Sequence, residues 1–165
     1  MAVSADTLRL HLDYSAWATN KLVGVAASLK EEELTRDFKT SDKSVLETLV
    51  HVFAADRIWL ARIHGNSPTI FVNPEDRDFS ALQKAWPSLQ QQWKEWAAPL
   101  SNDSVLSRIP YRDLKGNPWE QPLWQILLHV VNHGTHHRGQ ASGFLRAMGH
   151  QPPALDLIAF YRELL

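Results

Sequence analysis

At 165 residues, with 44 % hydrophobic and 21 % charged side chains, the chain is sized for a single domain, 1–165, with a sizeable core. It has no cysteine, which excludes disulfides, a catalytic thiol and thiolate metal ligands, and leaves imidazole, on eight histidines, as the only soft ligand in quantity. A formal net charge of −1 gives no general attraction to nucleic acid or anionic membrane. No apolar run approaches the roughly 20 residues of a bilayer span. Positions 1–6 lack the basic start and apolar run of a signal peptide, so a cytoplasmic protein is expected.

Leu8, Leu12, Ser15, Thr19, Leu22, Ala26 and Leu29 step by four and three, which predicts a helix over 6–29 with one mainly apolar stripe. The charged stretch 30–43 reads as a connection. Ser44 stands three residues before Glu47, the pattern of a capping box. It opens a second helix carrying Val45, Leu49, Val52, Phe53, Trp59, Leu60 and Ile63 on one broad arc and ending near Gly65. Pro68 and Pro74 mark 66–78 as a loop. A third helix over 79–100 places Trp86, Leu89, Trp93 and Trp96 on one side, with Pro87 starting or kinking it. The seven tryptophans of the chain read chiefly as core packing. With Pro110, Pro118 and a turn at Lys115-Gly116-Asn117, 104–122 reads as a small hairpin or an irregular crossing loop. A long helix over 123–148 stops at Gly149 and Pro152-Pro153, and 154–165 allows a short terminal helix. Four long helices and a short one pack most economically as an all-α four-helix bundle.

Four histidines, His129, His133, His136 and His137, fall within nine residues of the long helix. Residues i and i+4 share a helix face, so two such histidines grip one ion. With His133 at zero on the helical wheel, the apolar arc lies on the positive side and His137 sits about 40° into its edge. His129 and His136 fall about 40° and 60° the other way, at the rim. An ion inside the bundle therefore meets His133 and His137 first. A catalytic zinc-type site needs a third protein ligand and an open position. Of the remaining histidines, His150 and His64 lie at helix ends, and His11 and His51 lie mid-helix. His51 is favoured: it borders the core of a capped helix, with small neighbours at Thr48 and Ala55. The run is not the zinc-protease motif, because Gly134 stands where that motif places its glutamate base.

These residues resemble the DinB family, the DinB/YfiT-like metalloenzymes, along nearly the whole chain. The resemblance rests on Tyr14-Ser15-Ala16-Trp17-Ala18-Thr19-Asn20, on Ser44 to His51, and above all on Asn132-His133-Gly134-Thr135-His136-His137-Arg138-Gly139-Gln140, followed by Gly149, Pro152 and Pro153. It implies a four-helix bundle, in many members a homodimer, holding a divalent metal, Zn²⁺ or Ni²⁺, on His51, His133 and His137. It also implies thiol S-transfer with a low-molecular-weight thiol such as bacillithiol or mycothiol, or thiol-dependent isomerisation. A bound thiol or water would become a nucleophile near neutral pH. With no cysteine in the chain, a thiol has to arrive as cosubstrate. The expectation is a metal-dependent transferase acting on an electrophilic small molecule. The alternatives are a metal-dependent hydrolase and a non-catalytic bundle with a structural metal.

Other polar residues carry weaker expectations. Asp56, near the middle of its helix's apolar arc, orients a ligating imidazole or, more readily, pairs with an Arg or Trp of another helix. Arg138 faces away from the site and reads as structural. Gln140 lies beside the histidines and touches a ligand or makes an interhelical hydrogen bond. Tyr14, Trp17 and Asn20 read as packing and helix contacts.

Overall fold

The computed structural model describes residues 3–165. Four long helices carry the fold: α1 (Ala5–Ala26), α3 (Val45–Ile63), α4 (Phe79–Ala97) and α5 (Leu123–Ala147). Two short helices, α2 (Glu31–Leu34) and α6 (Leu157–Glu163), two 3₁₀ turns (Pro74–Arg77 and Ser104–Leu106) and one hairpin, β1 (Arg108–Arg112) with β2 (Pro118–Pro122), complete it. The all-α expectation holds. No helix of the described residues is long and apolar enough to cross a membrane.

Helix starts follow local chemistry. Ser4 Oγ accepts from Thr7 N at α1, and Asp78 accepts from Ser80 N and Ala81 N at α4. Ser44 Oγ accepts from Glu47 N at 3.1 Å, but the reciprocal half of the expected capping box is missing. The Glu47 carboxylate pairs instead with Arg77 Nε at 3.0 Å, tying α3 to the turn before α4. Gly149 ends α5 at φ +86°, a left-handed conformation that glycine adopts without a Cβ penalty. The expected first and third helices run three residues too long. Ala27–Leu29 and the residues after Ala97 leave the helix in turns closed by backbone bonds. Pro87 lies inside α4 and does not start it.

The 104–122 segment resolves as a hairpin in the register Arg108↔Pro122 to Arg112↔Pro118. Asp113 Oδ1 accepts from Lys115 N and Asn117 N in its turn, and Gly116 takes φ +85°. Prolines fit these strands because a two-stranded ribbon is all edge.

Leu8, Leu22, Leu49, Leu82, Leu127 and Leu145, each at most 1 % exposed, form the centre of the bundle. α6 is fastened to α1 by Tyr14 Oη donating to Leu155 O at 2.8 Å and Trp17 Nε1 donating to Glu163 at 2.6 Å, with Phe160 packed against both rings.

One cation lies inside this apolar frame. Arg138 of α5 is 2 % exposed. Its Nη1 donates to Ser15 O and Oγ and to Thr19 Oγ1, and its Nη2 donates to Thr135 Oγ1. Arg138 is thus structural, a polar clamp between α5 and α1. Gly134 makes room for it: a Cβ there would stand 2.7 Å from Arg138 Nη1.

Asp56 faces a cavity of about 400 Å³ between α1 and α4, walled by Ser15, Thr19, Pro87, Trp93 and Val130. Burial pushes its carboxyl up to about 7, against the opposing pull of Arg138 and the Trp86 indole. Between the unfolded carboxylate value near 4 and this folded value, the native state binds the extra proton. Native stability therefore falls as pH rises across that window and levels off above it. Asp56→Asn should leave urea stability nearly unchanged at pH 4 and raise it at pH 8, by on the order of 1–3 kcal/mol. An equal effect at both pH values would contradict this placement of the carboxyl.

Candidate metal centre

α3 and α5 pack antiparallel, since His51 meets His133 and His137 while Trp59, eight residues further along α3, meets His129. The i, i+4 spacing sets His133 and His137 one above the other on α5, and α3 brings His51 over both. Ring centroids stand 5.0 Å apart for His51–His133, 4.3 Å for His51–His137 and 4.4 Å for His133–His137. One nitrogen from each ring falls within 4.8 Å of the other two. His51 Nε2 and His133 Nε2 are 3.0 Å apart. Among the described residues this group of converging donors has three members. These three imidazoles could hold a metal ion.

The surroundings prepare the rings for that. His137 is 8 % exposed, and its Nδ1 faces Asp42 Oδ2 at 2.9 Å and Gln140 Oε1 at 2.6 Å. Both partners are acceptors, so Nδ1 carries the proton and donates it, leaving the Nε2 lone pair free. A carboxylate behind an imidazole in this way fixes the tautomer, orients the ring and raises its basicity as a ligand.

Burial holds His133 down to about 3, helped by the neighbouring imidazoles, and it lowers His51 too, helped by His137. Both rings are neutral at pH 7, the state a metal requires. The donor set therefore fits a divalent ion: three imidazole nitrogens, two on rings kept neutral by burial and one on a ring braced by a carboxylate, too crowded for three imidazolium charges.

Phe71 stands edge-on to His51 at 5.0 Å and closes one flank. His129 and His136 sit at the rim, as the helical wheel expects, with ring centroids 5.7 Å from His133 and 5.0 Å from His137. Both are exposed and outside the converging group.

The other histidines are engaged elsewhere or lie at the surface. His150 faces Glu33 at 2.8 Å, His11 faces Thr7 O at 2.7 Å, and His64 is the exposed C-cap of α3. Asp56 does not orient a triad imidazole, because it faces the α1–α4 cavity. Asp42 does so instead. It lies in the charged connection read only as a link, and it comes within reach because Ser44 caps α3 two residues later. Gln140 contacts a triad histidine directly. Asn20, on α1, accepts a helix contact from Gln90 at 3.0 Å.

Removal of the Asp42 carboxylate should weaken the site without emptying it. Asp42→Ala should lower zinc affinity about 10- to 100-fold in competition with a chromophoric chelator. His137→Ala should cost far more than His136→Ala, and Asp56→Asn should leave affinity unchanged. Equal losses for Asp42→Ala and Asp56→Asn would contradict this assignment.

Comparison with known proteins agrees with the architecture. The sequence profile described as DinB family matches residues 1–163. Protein DinB of Bacillus subtilis (strain 168) is 23 % identical over 159 residues, covering 87 % of this chain and 87 % of that protein. The crystal structure of a DinB-like protein from Bacillus cereus ATCC 10987 superposes with a TM-score of 0.65 at 18 % identity, over 93 % of this chain and 99 % of that one, a likeness of fold. With the profile spanning the bundle from α1 through α6 and including all three converging histidines, this chain belongs to the DinB family.

Proposed function

We propose that this protein is a divalent-metal-dependent enzyme of thiol S-transferase type, with Zn²⁺ or Ni²⁺ on His51, His133 and His137. The observation that carries this reading is the convergence of three burial-neutralised or braced imidazoles with no fourth His, Cys, Asp or Glu donor converging on them among the described residues. Structural zinc sites are closed by four protein ligands, whereas catalytic ones keep a position for substrate. A bound divalent ion supplies Lewis acidity, which brings a thiol or water to nucleophilic form near neutral pH.

The chain's own residues perform the remaining tasks. Asp42 and Gln140 hold the His137 proton at Nδ1 and would leave its Nε2 free to ligate an ion. The burial of His51 and His133 keeps both unprotonated. Phe71 and Trp59 form apolar walls on the α3 side, where an electrophilic small molecule would lie against carbon and not water. The chain holds no cysteine, so a thiol nucleophile enters as cosubstrate.

Elemental analysis tests the reading. Protein purified without a histidine tag should carry about one zinc or nickel per chain. His51→Ala, His133→Ala and His137→Ala should each lose it while remaining folded, and loaded protein should accelerate conjugation of a small thiol to an electrophile. Folded, metal-free protein unable to take up either ion would contradict it.

A further inference from the structure

Arg62 occupies the last turn of α3, where a cation is ordinary and the helix dipole favours it. Its surroundings are not ordinary. It is 7 % exposed, with its guanidinium carbon 4.6 Å from the Trp59 ring and 5.1 Å from the Tyr111 ring. Among the described residues no hydrogen bond or ion pair reaches the guanidinium, and its Nε is sealed without a partner.

Other arginines inside the fold have partners for their terminal nitrogens: Arg57 from both oxygens of Asp76, and Arg138 from three hydroxyls and a carbonyl, with only the Arg138 Nε sealed without a partner. Asp113, whose charge Arg62 feels, already accepts from Lys115, Asn117 and Trp119 within the hairpin turn. Ring stacking offsets part of the cost of burying the charge. It satisfies none of the five in-plane N–H donors, whose fork matches a planar oxyanion.

The position of Arg62 says what those donors serve. Arg62 follows His51 by 11 residues, about 20° away on the wheel and hence on the same stripe of α3. Its side chain folds back over Trp59, three residues earlier, toward the His51 end. The Trp59 ring is 5.2 Å from His129, which is 5.7 Å from His133. Arg62, Trp59 and His129 thus form a continuous wall from the hairpin to the histidine triad.

We propose that Arg62 is an anion-binding residue on the wall beside the triad, receiving the carboxylate of a substrate or of a thiol cosubstrate on the terminal nitrogens of its guanidinium. The inference takes its purpose from the metal-enzyme reading, but the binding itself does not require the metal.

The test titrates the full chain with hexanoate and with hexanamide, followed by Trp fluorescence, both metal-loaded and after metal removal. In metal-free protein hexanoate should bind saturably and hexanamide should not compete. Arg62→Gln should weaken hexanoate about 10- to 100-fold while metal content stays at the wild-type level. Arg62→Lys, which keeps the charge and loses the fork, provides a second variant should Arg62→Gln unfold, and should weaken hexanoate by a smaller factor. On loaded protein, 6-mercaptohexanoate binding more tightly than hexanoate places the carboxylate on the thiol, and equal binding places it on the other substrate. No preference for hexanoate over hexanamide, or unchanged preference in both variants, overturns the proposal even if the protein holds metal. Arg62-dependent hexanoate binding in a protein that cannot hold metal would retain this site and overturn the metal reading.

Discussion

The antiparallel packing of α3 on α5 governs the functional part of this molecule. It sets one histidine of α3 over a one-turn histidine pair of α5, and every other feature of the site adjusts to that contact. Three imidazoles so close cannot all be charged, because each added positive charge would repel the other two at low dielectric. The fold responds by burial, which keeps His133 and His51 neutral, and by one carboxylate brought in from outside the pair. The rings are held as ligands before any ion is present, at an electrostatic cost met by the apolar packing of the bundle.

Two buried cations show how differently the same scaffold treats charge. Arg138 is placed to join α5 to α1, and hydroxyls of Ser15, Thr19 and Thr135 accept from its two terminal nitrogens, in space left by Gly134. Arg62 is nearly as buried but is matched only by aromatic faces. The first is a structural interaction made through both terminal nitrogens, its Nε alone lacking a partner. The second leaves its donor edge unpaired, which is what sets it apart from the arginines that hold the bundle together.

Much of this was legible in the sequence, and the reasons are specific. The wheel separates His133 and His137 from His129 and His136 because a helix of 25 residues keeps its phase, and the structure brings the first pair together and leaves the second at the rim. The Ser44 cap and the Gly149 stop are local signals, and both stand where the sequence places them, although Glu47 pairs with Arg77 and does not complete the capping box. Asp42 was not legible: it lies 95 residues from His137, in a charged connection whose approach depends on how α2 and α3 are joined. The Arg138 charge and the Trp86 indole act on the carboxyl in line with the favoured reading of Asp56. Its position on the apolar arc says that it is buried, but not that it faces the α1–α4 cavity on the other side from the triad. Burial of Arg62 depends on the hairpin folding over α3, and that segment's pattern of prolines and a glycine turn left its conformation open.

The central claim is that three histidines, and no fourth protein donor, would bind one catalytic ion. The X-ray absorption spectrum of the zinc-loaded protein addresses it most directly. The account predicts three imidazole nitrogens at about 2.0–2.1 Å with at least one exchangeable light donor completing the ion, and one imidazole fewer in any His51→Ala protein that can be forced to load. Four imidazoles would mean that His129 or His136 closes the site for a structural role. Two or fewer would mean that the triad does not act as a unit.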